Sequence, residues 1–265
     1  MKIRVCVAGA TGLVGRSLVH AIYSSEDLEL VGAVSRTYKE QNLGVVLNNP
    51  QIDLTISGSV EEALRIRTHV LIDYTHPSVV KSNVLCAINN EVHVVIGTSG
   101  LVEDDYAEID GAARNKKVGV LAGGNFAITA VLMQQFALEA AKHIPQWEII
   151  GYADASKVDS PSGTVSELAY RLSQIREPVY HHPVEDTFGQ KESRGATVSG
   201  CQVHSIRLPG YSFSAEIIFG MPNEKLIIRH EAGNSAEIYV PGTLLAAQKV
   251  GSFVGLVRGL DSILE

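Results

Sequence analysis

The sequence predicts an α/β protein with a Rossmann-type parallel sheet first and an α+β region after it. Three observations carry this. From the N-terminus to about Asn125, apolar strand patterns alternate with helical ones, the signature of a parallel sheet with right-handed crossovers. A glycine-rich turn, Gly9-Ala10-Thr11-Gly12-Leu13-Val14-Gly15, joins the first strand to the first helix. Beyond Asn125 the alternation stops, and three strand patterns come close together with short turn-rich links.

The bulk properties narrow the classes. The chain has 265 residues, 45% hydrophobic and 19% charged, with 24 glycines, which fits a globular α/β protein and excludes disorder. A net charge of −7 argues against nucleic acid, because neutralising a phosphate backbone needs a basic face. Three separated cysteines, Cys6, Cys86 and Cys201, give neither a disulfide framework nor zinc spacing. No apolar run approaches the ~18 residues of a membrane helix. Lys2 to Val7 is too short for the apolar core of a secretion signal, so a reducing cytoplasm is the expected setting.

Taken in order, Ile3 to Val7 reads as a buried strand running up to Ala8, with a helix after the glycines to about Tyr23. Glycines spaced GxxGxxG between a strand and a helix permit a tight turn, close approach of a pyrophosphate and close helix packing. This turn is the candidate dinucleotide site: Gly9, Thr11, Gly12, Leu13, Val14 and Gly15. Leu28 to Val34 is the second strand. Ser35-Arg36 follows it, where an enzyme using NAD usually has an acid to hold the ribose hydroxyls. A guanidinium there suits a 2′-phosphate, so NADPH is expected, with NADH as the alternative. Asp53 to Ile56 is a short strand candidate. His69 to Thr75 is a strand, and Val79 to Asn89 a helix with Pro77 suited to its first turn. His93 to Ile96 and Val118 to Leu121 are further strands. Ligands bind beyond the carboxyl ends of such strands, so Thr75-His76 and Gly97-Thr98-Ser99 are placed at a cofactor rim.

A helix from Ile128 to His143 leads to Trp147–Thr164. That stretch begins as a strand (Glu148, Ile149, Ile150) and ends in Lys157-Val158-Asp159-Ser160-Pro161-Ser162-Gly163-Thr164, before a helix from Val165 to about Ile175. A lysine, two hydroxyls and a glycine at a helix start offer a site to a small carboxylate or phosphate. Thr164-Val165-Ser166-Glu167 also reads as a capping box, in which Thr164 is only the N-cap. Glu177 to Gly200 is irregular. Gln202 to Arg207, Ala215 to Phe219 and Lys225 to Glu231 are strands of an antiparallel or mixed sheet. Pro241 to Leu260 is helical in pattern and returns to the first domain.

His181-His182 with Glu185 and Asp186 make a poor metal site, since neighbours in an irregular loop rarely converge, and no metal is expected. His76 reads as capping a strand end; His204 and His230 read as packed or surface residues. No GxSxG elbow points to a serine hydrolase.

Several segments together resemble the dihydrodipicolinate reductase family, whose members act in lysine and diaminopimelate biosynthesis. They are Gly9 to Gly15, Asp73 to Pro77, Gly97 to Gly100, Asn125 to Ile128, Lys157 to Thr164 and Val203 to Gly210. The resemblance keeps segment order over nearly the whole chain. It implies a nucleotide-binding domain built from both chain ends, 1–124 and 236–265, and an inserted substrate-binding and oligomerisation domain, 125–235. It also implies a homotetramer, and hydride transfer from NADPH or NADH to a cyclic imine with two carboxylates. By position, Lys157, Ser162, Gly163 and Thr164 hold the substrate carboxylates. The Gly9–Gly15 turn, Ser35-Arg36, Gly97-Thr98 and Ala122 to Phe126, with Gly123, Asn125 and Phe126, line the cofactor. One departure stands out. The family's paired histidines, the first its proposed proton donor, fall at Ala153 and Asp154. The catalytic candidates left are Lys157 and Asp154, and Asp154 serves as an acid only with a raised pKa. Water or the His181-His182 loop are the other donors. A different cyclic imino acid with one carboxylate, or a cofactor-binding protein that has lost catalysis, are the alternative readings.

Overall fold

A computed structural model describes residues 1–264. Within the first unit, residues 1–128 and the chain from Ala236 onward, the elements run β1 (Ile3–Ala8), α1 (Leu13–Tyr23), β2 (Leu28–Val34), the short α2 (Leu43–Val46) and α3 (Val60–Ala63), β3 (Val70–Asp73), α4 (Pro77–Asn89), β4 (His93–Ile96), α5 (Glu103–Lys116) and β5 (Gly119–Ala122). The second unit, Thr129–Ser235, holds α6 (Ile128–His143, whose first residue belongs to the first unit), β6 (Trp147–Ala153), α7 (Gly163–Ile175), β7 (Ala196–Val198), β8 (Cys201–Arg207), β9 (Phe213–Met221) and β10 (Glu224–Ala232). The chain then returns to the first unit as α8 (Val240–Lys249) and β11 (Gly255–Arg258).

The first unit's strands form one parallel sheet in the order β11-β5-β4-β3-β1-β2. Its inner strands are apolar without alternation because both faces are covered. Cys6, Leu71, Val94 and Val120 pack against Val80, Val84 and Ile88 of α4 and Ile109 and Ala113 of α5. α1 lies against α8, and Leu18, Val19, Ile22, Ala246 and Ala247 there are buried. The register is level at the carboxyl edge: Ala8 pairs with Val34 and Asp73, Asp73 with Ile96, Ile96 with Ala122, and Ala122 with Arg258. The loops after β1, β2, β3, β4 and β5 therefore leave one rim. The strand order reverses at β1, which makes β1 and β3 the two sides of the switch-point crevice.

The second unit's sheet runs β10-β9-β6-β8-β7. It is mixed: β6 and β8 are parallel and the other pairs antiparallel. Period-2 alternation puts Trp147, Ile149, Val203, Ile217 and Phe219 on one face, packed against Met133 and Ala137 of α6 and Leu168 and Leu172 of α7. Trp147 is buried against Phe219, with ring centroids 5.8 Å apart, and its indole N–H donates to Cys201 Sγ at 3.3 Å.

Three expectations need correction. Asp53 to Ile56 is not a strand; Thr55 and the neighbouring Ser57 make only isolated bridges, to Asn42 and Val34. Pro241 to Leu260 is not helical throughout. The helix stops at Lys249, and glycines at positive φ, Gly255 (+94°) and Gly259 (+90°), bracket the strand β11 that pairs with β5. The irregular Glu177–Gly200 stretch contains β7 and two 3₁₀ turns, Val184–Asp186 and Lys191–Arg194. No helix among the described residues is long and apolar enough to cross a membrane.

Candidate functional site

In the first unit, a cleft of about 430 Å³ opens at the switch point. Gly9, Thr11 and Gly12 line it from the β1–α1 turn, Ser35, Arg36 and Thr37 from the end of β2, and Tyr74, Thr75 and His76 from the end of β3. The turn has no room for side chains. A Cβ on Gly9 would sit 2.1 Å from the Tyr74 carbonyl oxygen, and one on Gly15 would sit 2.0 Å from the Gly9 carbonyl oxygen. Gly9 also has φ +81°, where only glycine is unstrained. Gly12 precedes α1 and no side chain caps the helix. The first N–H groups, from Leu13 and Val14 onward, thus stay outside the helical ladder, at the positive end of its dipole. Thr11 Oγ1 and Ser35 Oγ bond each other at 2.8 Å and tie this turn to the end of β2.

Gly97, Thr98 and Ser99 leave β4 on the same rim. Gly97 accommodates the Tyr74 ring, which a Cβ there would meet at 2.2 Å. Tyr74 is largely buried, and its hydroxyl and Thr243 Oγ1 of α8 lie 2.8 Å apart. Burial first of all holds its pKa well above the ordinary phenol value. Gly123, Asn125 and Phe126 leave β5. The Asn125 side chain accepts from Ala127 N at 2.8 Å. Phe126 is buried beside Tyr74 at 6.1 Å between centroids, so its ring is part of the core and only its backbone is available to a ligand. His76 caps the start of α4 rather than a strand end: its Nδ1 accepts from Ser78 N at 3.2 Å. Gly58, Ser59, Val79, Ser82 and Asn83 also line the cleft. They carry no sequence signal, because each reaches it from a loop or a helix turn remote from the glycine motif.

In the second unit, β6 delivers the Lys157–Thr164 loop. Ala153 ends the strand, buried between Arg207 of β8 and Phe213 of β9. Asp154 follows and shapes a turn: its Oδ1 accepts from Ser156 Oγ at 2.6 Å and Ser156 N at 2.9 Å. Lys157 N donates to the Asp154 carbonyl at 3.1 Å. Lys157 Nζ pairs with Asp159 Oδ1 at 2.8 Å, and this contact holds the Asp159 carboxyl below the usual range. Arg207 donates to the Asp159 carbonyl at 2.8 Å and pins the loop to β8. The cap of α7 is Ser162, not Thr164. The helix starts at Gly163, and the buried Ser162 Oγ accepts from Val165 N at 3.4 Å. Gly163 and Thr164 form the first turn, with backbone N–H groups left over for an anion.

Asp154 is corrected as an acid. Hydrogen bonds from the Ser156 hydroxyl and then its N–H lower its pKa from the ordinary 3.8, the reverse of what a proton donor near neutral pH requires. The His181-His182 loop lies away from Asp154. Both histidines lie beside Gln146 and Trp147, where β6 begins, while Asp154 follows its other end. Seven residues of strand put roughly 20 Å between the two. No group of three or more His, Cys, Asp or Glu among the described residues is arranged to hold a metal ion.

The depressed Asp154 pKa has a signed consequence. The turn's hydrogen bonds support the fold in full above the ordinary carboxyl pKa and are lost as pH falls through the depressed value. Ser156→Ala removes the hydroxyl donor, so the Asp154 pKa rises in a carboxyl ¹³C NMR titration. An unchanged midpoint would show that the turn does not bind its carboxylate.

Comparison with known proteins agrees over both units. The family described as dihydrodipicolinate reductase, N-terminus, matches residues 3–126, and dihydrodipicolinate reductase, C-terminus, matches 129–264. The 4-hydroxy-tetrahydrodipicolinate reductase of Desulfitobacterium hafniense is 40% identical over 266 residues, covering 100% of this chain and 99% of that protein. The Listeria monocytogenes protein of the same name is 34% identical, covering 99% and 100%. Among solved structures, the dipicolinate-bound dihydrodipicolinate reductase from Paenisporosarcina sp. TG-14 superposes with a TM-score of 0.87 at 29% identity, covering 100% of both chains. With both halves matched in order, the chain belongs to the dihydrodipicolinate reductase family.

Proposed function

We propose that this protein is a NADPH-dependent reductase of a cyclic imine carboxylate, 4-hydroxy-tetrahydrodipicolinate, in lysine and diaminopimelate biosynthesis. One observation carries the reading: the Lys157–Thr164 loop holds a cation beside the first-turn N–H groups of a helix start, in a chain whose two halves both match a reductase family. The full-length relatives bearing the reductase name support it.

The first unit's residues fit a nicotinamide dinucleotide. The Cβ-free turn and the uncapped start of α1 form a cradle for the diphosphate. Arg36, with Ser35 and Thr37 in the same cleft, suits a 2′-phosphate, and no acid stands there to repel one. Thr75, Gly97, Thr98, Ser99, Gly123, Asn125 and the Phe126 backbone line the remaining rim. When bound, the cofactor supplies the hydride. This chain's part is to bind and orient. Lys157 exchanges Asp159 for a substrate carboxylate, and Ser162, Gly163 and Thr164 receive the same anion. With Ala153 lacking a proton and Asp154 held ionised, the proton comes from water. A general acid typically contributes ~10²–10⁴ in rate, so turnover is slower than with a resident donor.

The substrate carries the one competing reading. An ionised Asp154 beside the anion loop repels a second carboxylate and favours a cyclic imine with only one. The dipicolinate bound to the 29%-identical relative is a diacid and favours the first. Three cysteines without disulfides fit a reducing cytoplasm. We also propose a homotetramer built on the face of the second sheet opposite α7, where Ile150, Ile206 and Ile218 are half-buried and Ile227 is exposed.

NADPH oxidation with freshly generated hydroxy-tetrahydrodipicolinate, run beside smaller cyclic imino acids, is the test. Turnover on the diacid is expected. Turnover on a mono-acid alone overturns the substrate, and tight NADPH binding with no turnover on any imine identifies a protein that has lost catalysis. Arg36→Ala is expected to raise the KM for NADPH by about tenfold to a hundredfold while leaving that for NADH nearly unchanged, since a charge-assisted phosphate contact is worth roughly 1.5–3 kcal/mol. Equal effects would remove the cofactor argument. Light scattering is expected to give four times the 28.5 kDa chain mass; a monomer excludes the assembly.

A further inference from the structure

Asp73 closes β3 and is fully buried. A carboxylate so placed needs hydrogen-bond partners, and the ones it has belong to the cofactor rim. Its Oδ1 receives Thr98 Oγ1 at 2.6 Å, Thr75 Oγ1 at 2.7 Å and Thr75 N at 3.1 Å. Its Oδ2 receives Asn83 Nδ2 at 2.9 Å. Thr75 N is shared with Thr98 Oγ1 at 2.7 Å, which joins the ends of β3 and β4 directly. The neighbouring buried Cys6 thiol does not compete as a charge. Burial first, and then the Asp73 carboxylate, push its pKa up to about 12.

A hydroxyl has one hydrogen to give and two acceptor positions. Thr75 and Thr98 both spend their hydrogen on Asp73. What each has left for anything outside is a lone pair. Asn83, which turns its only donor group inward, is left with an oxygen. An ordinary threonine rim can face either a donor or an acceptor; this one is fixed as an acceptor by a carboxylate that itself never reaches the surface.

We propose that Asp73 is a positioning residue that sets the hydrogen-bond polarity of this rim, making Thr75 and Thr98 acceptors for the N–H and O–H groups of a nicotinamide riboside. The proposal rests on the dinucleotide reading of the cleft. It also accounts for how such a ligand lies along it. Phosphate oxygens find N–H groups at the Gly9–Gly15 turn but meet lone pairs on Thr75 and Thr98, so the diphosphate goes to the first and the donor-bearing half to the second.

Calorimetric titration with two probes separates the possibilities. NADPH spans the cleft; adenosine 2′,5′-bisphosphate has the phosphorylated adenosine half and no nicotinamide. Asp73→Asn puts an N–H where the carboxylate oxygen was, and so turns a threonine hydrogen outward. It is expected to weaken NADPH tenfold or more and to leave the bisphosphate within twofold. Thr98→Val, which keeps shape and removes the hydroxyl, is expected to do the same, with Thr98→Ser close to wild type. Equal losses for both probes mean that Asp73 only holds the fold together, and they overturn the proposal; so does an undiminished affinity for NADPH. Should Asp73→Asn not fold, Thr98→Val with Thr98→Ser decides by the same criteria. A wild-type protein that binds neither probe overturns the dinucleotide reading and this proposal with it, an outcome distinct from NADPH binding that is insensitive to residues 73 and 98.

Discussion

A carbonyl oxygen occupies the space where residue 9 would carry a Cβ. Tyr74 O and Gly9 approach so closely that the β1–α1 turn and the end of β3 are locked as one piece of backbone, and Gly15 locks α1 onto the same turn. The rest of the first unit's rim is arranged around that approach. Tyr74, held at the backbone by Gly9, sends its ring over Gly97 and its hydroxyl to Thr243, and it packs against Phe126. The ends of β1, β3, β4, β5 and the helix α8 are thus joined through one aromatic residue. A glycine without a Cβ gives up more conformational entropy on folding than any other residue. It also lets the backbone N–H groups at the helix start face a ligand with nothing between.

The second unit reaches the same end by hydrogen bonding instead of close packing. Its Lys157–Thr164 loop stands off the sheet, and a Cβ at Gly163 would meet nothing within 4 Å. Three contacts give the loop its shape: Ser156 onto Asp154, Lys157 N onto the Asp154 carbonyl, and Arg207 onto the Asp159 carbonyl. The Lys157–Asp159 pair then keeps the cation in place without a ligand. Both partners are well exposed, so this pair contributes little to stability. Asp154 has a double character. It is poorly suited to give a proton because it is well suited to hold a turn.

Much of this was legible in the residues. The glycine turn, the strands β1 to β5, α6 and the Lys-x-Asp-x-Pro-Ser-Gly-Thr loop all announce themselves through local pattern, because each satisfies its own backbone or buries its own face. What escaped was decided by distant partners. β11 has only Leu256 and Val257 to mark it, and it is a strand because β5 offers an edge. Ser162 rather than Thr164 caps α7, because the helix starts earlier, at Gly163, than the Thr164-x-x-Glu167 pattern implies. The direction of the Asp154 shift depends on Ser156, two residues on, folding back onto the carboxylate. Asp73 carried no signal of its own within the His69–Thr75 strand pattern. Only the meeting of β3 with β4 brings Thr98 to it.

The return of the chain at Ala236 also orders events in time. α8 and β11 belong to the unit that begins at Met1, yet the whole of residues 129–235 separates them from it. In the entropy of loop closure that interval is a modest obstacle, since each doubling of loop length adds only about 0.6 kcal/mol. On the ribosome it is a delay. The N-terminal strands emerge with β5 as an open edge and with Tyr74 lacking Thr243, and they stay so until the last thirty or so residues have been made. The second unit has all of its own strands before that moment. The first unit is therefore completed after the second, and α8 and β11 are what turn five strands into a six-stranded sheet.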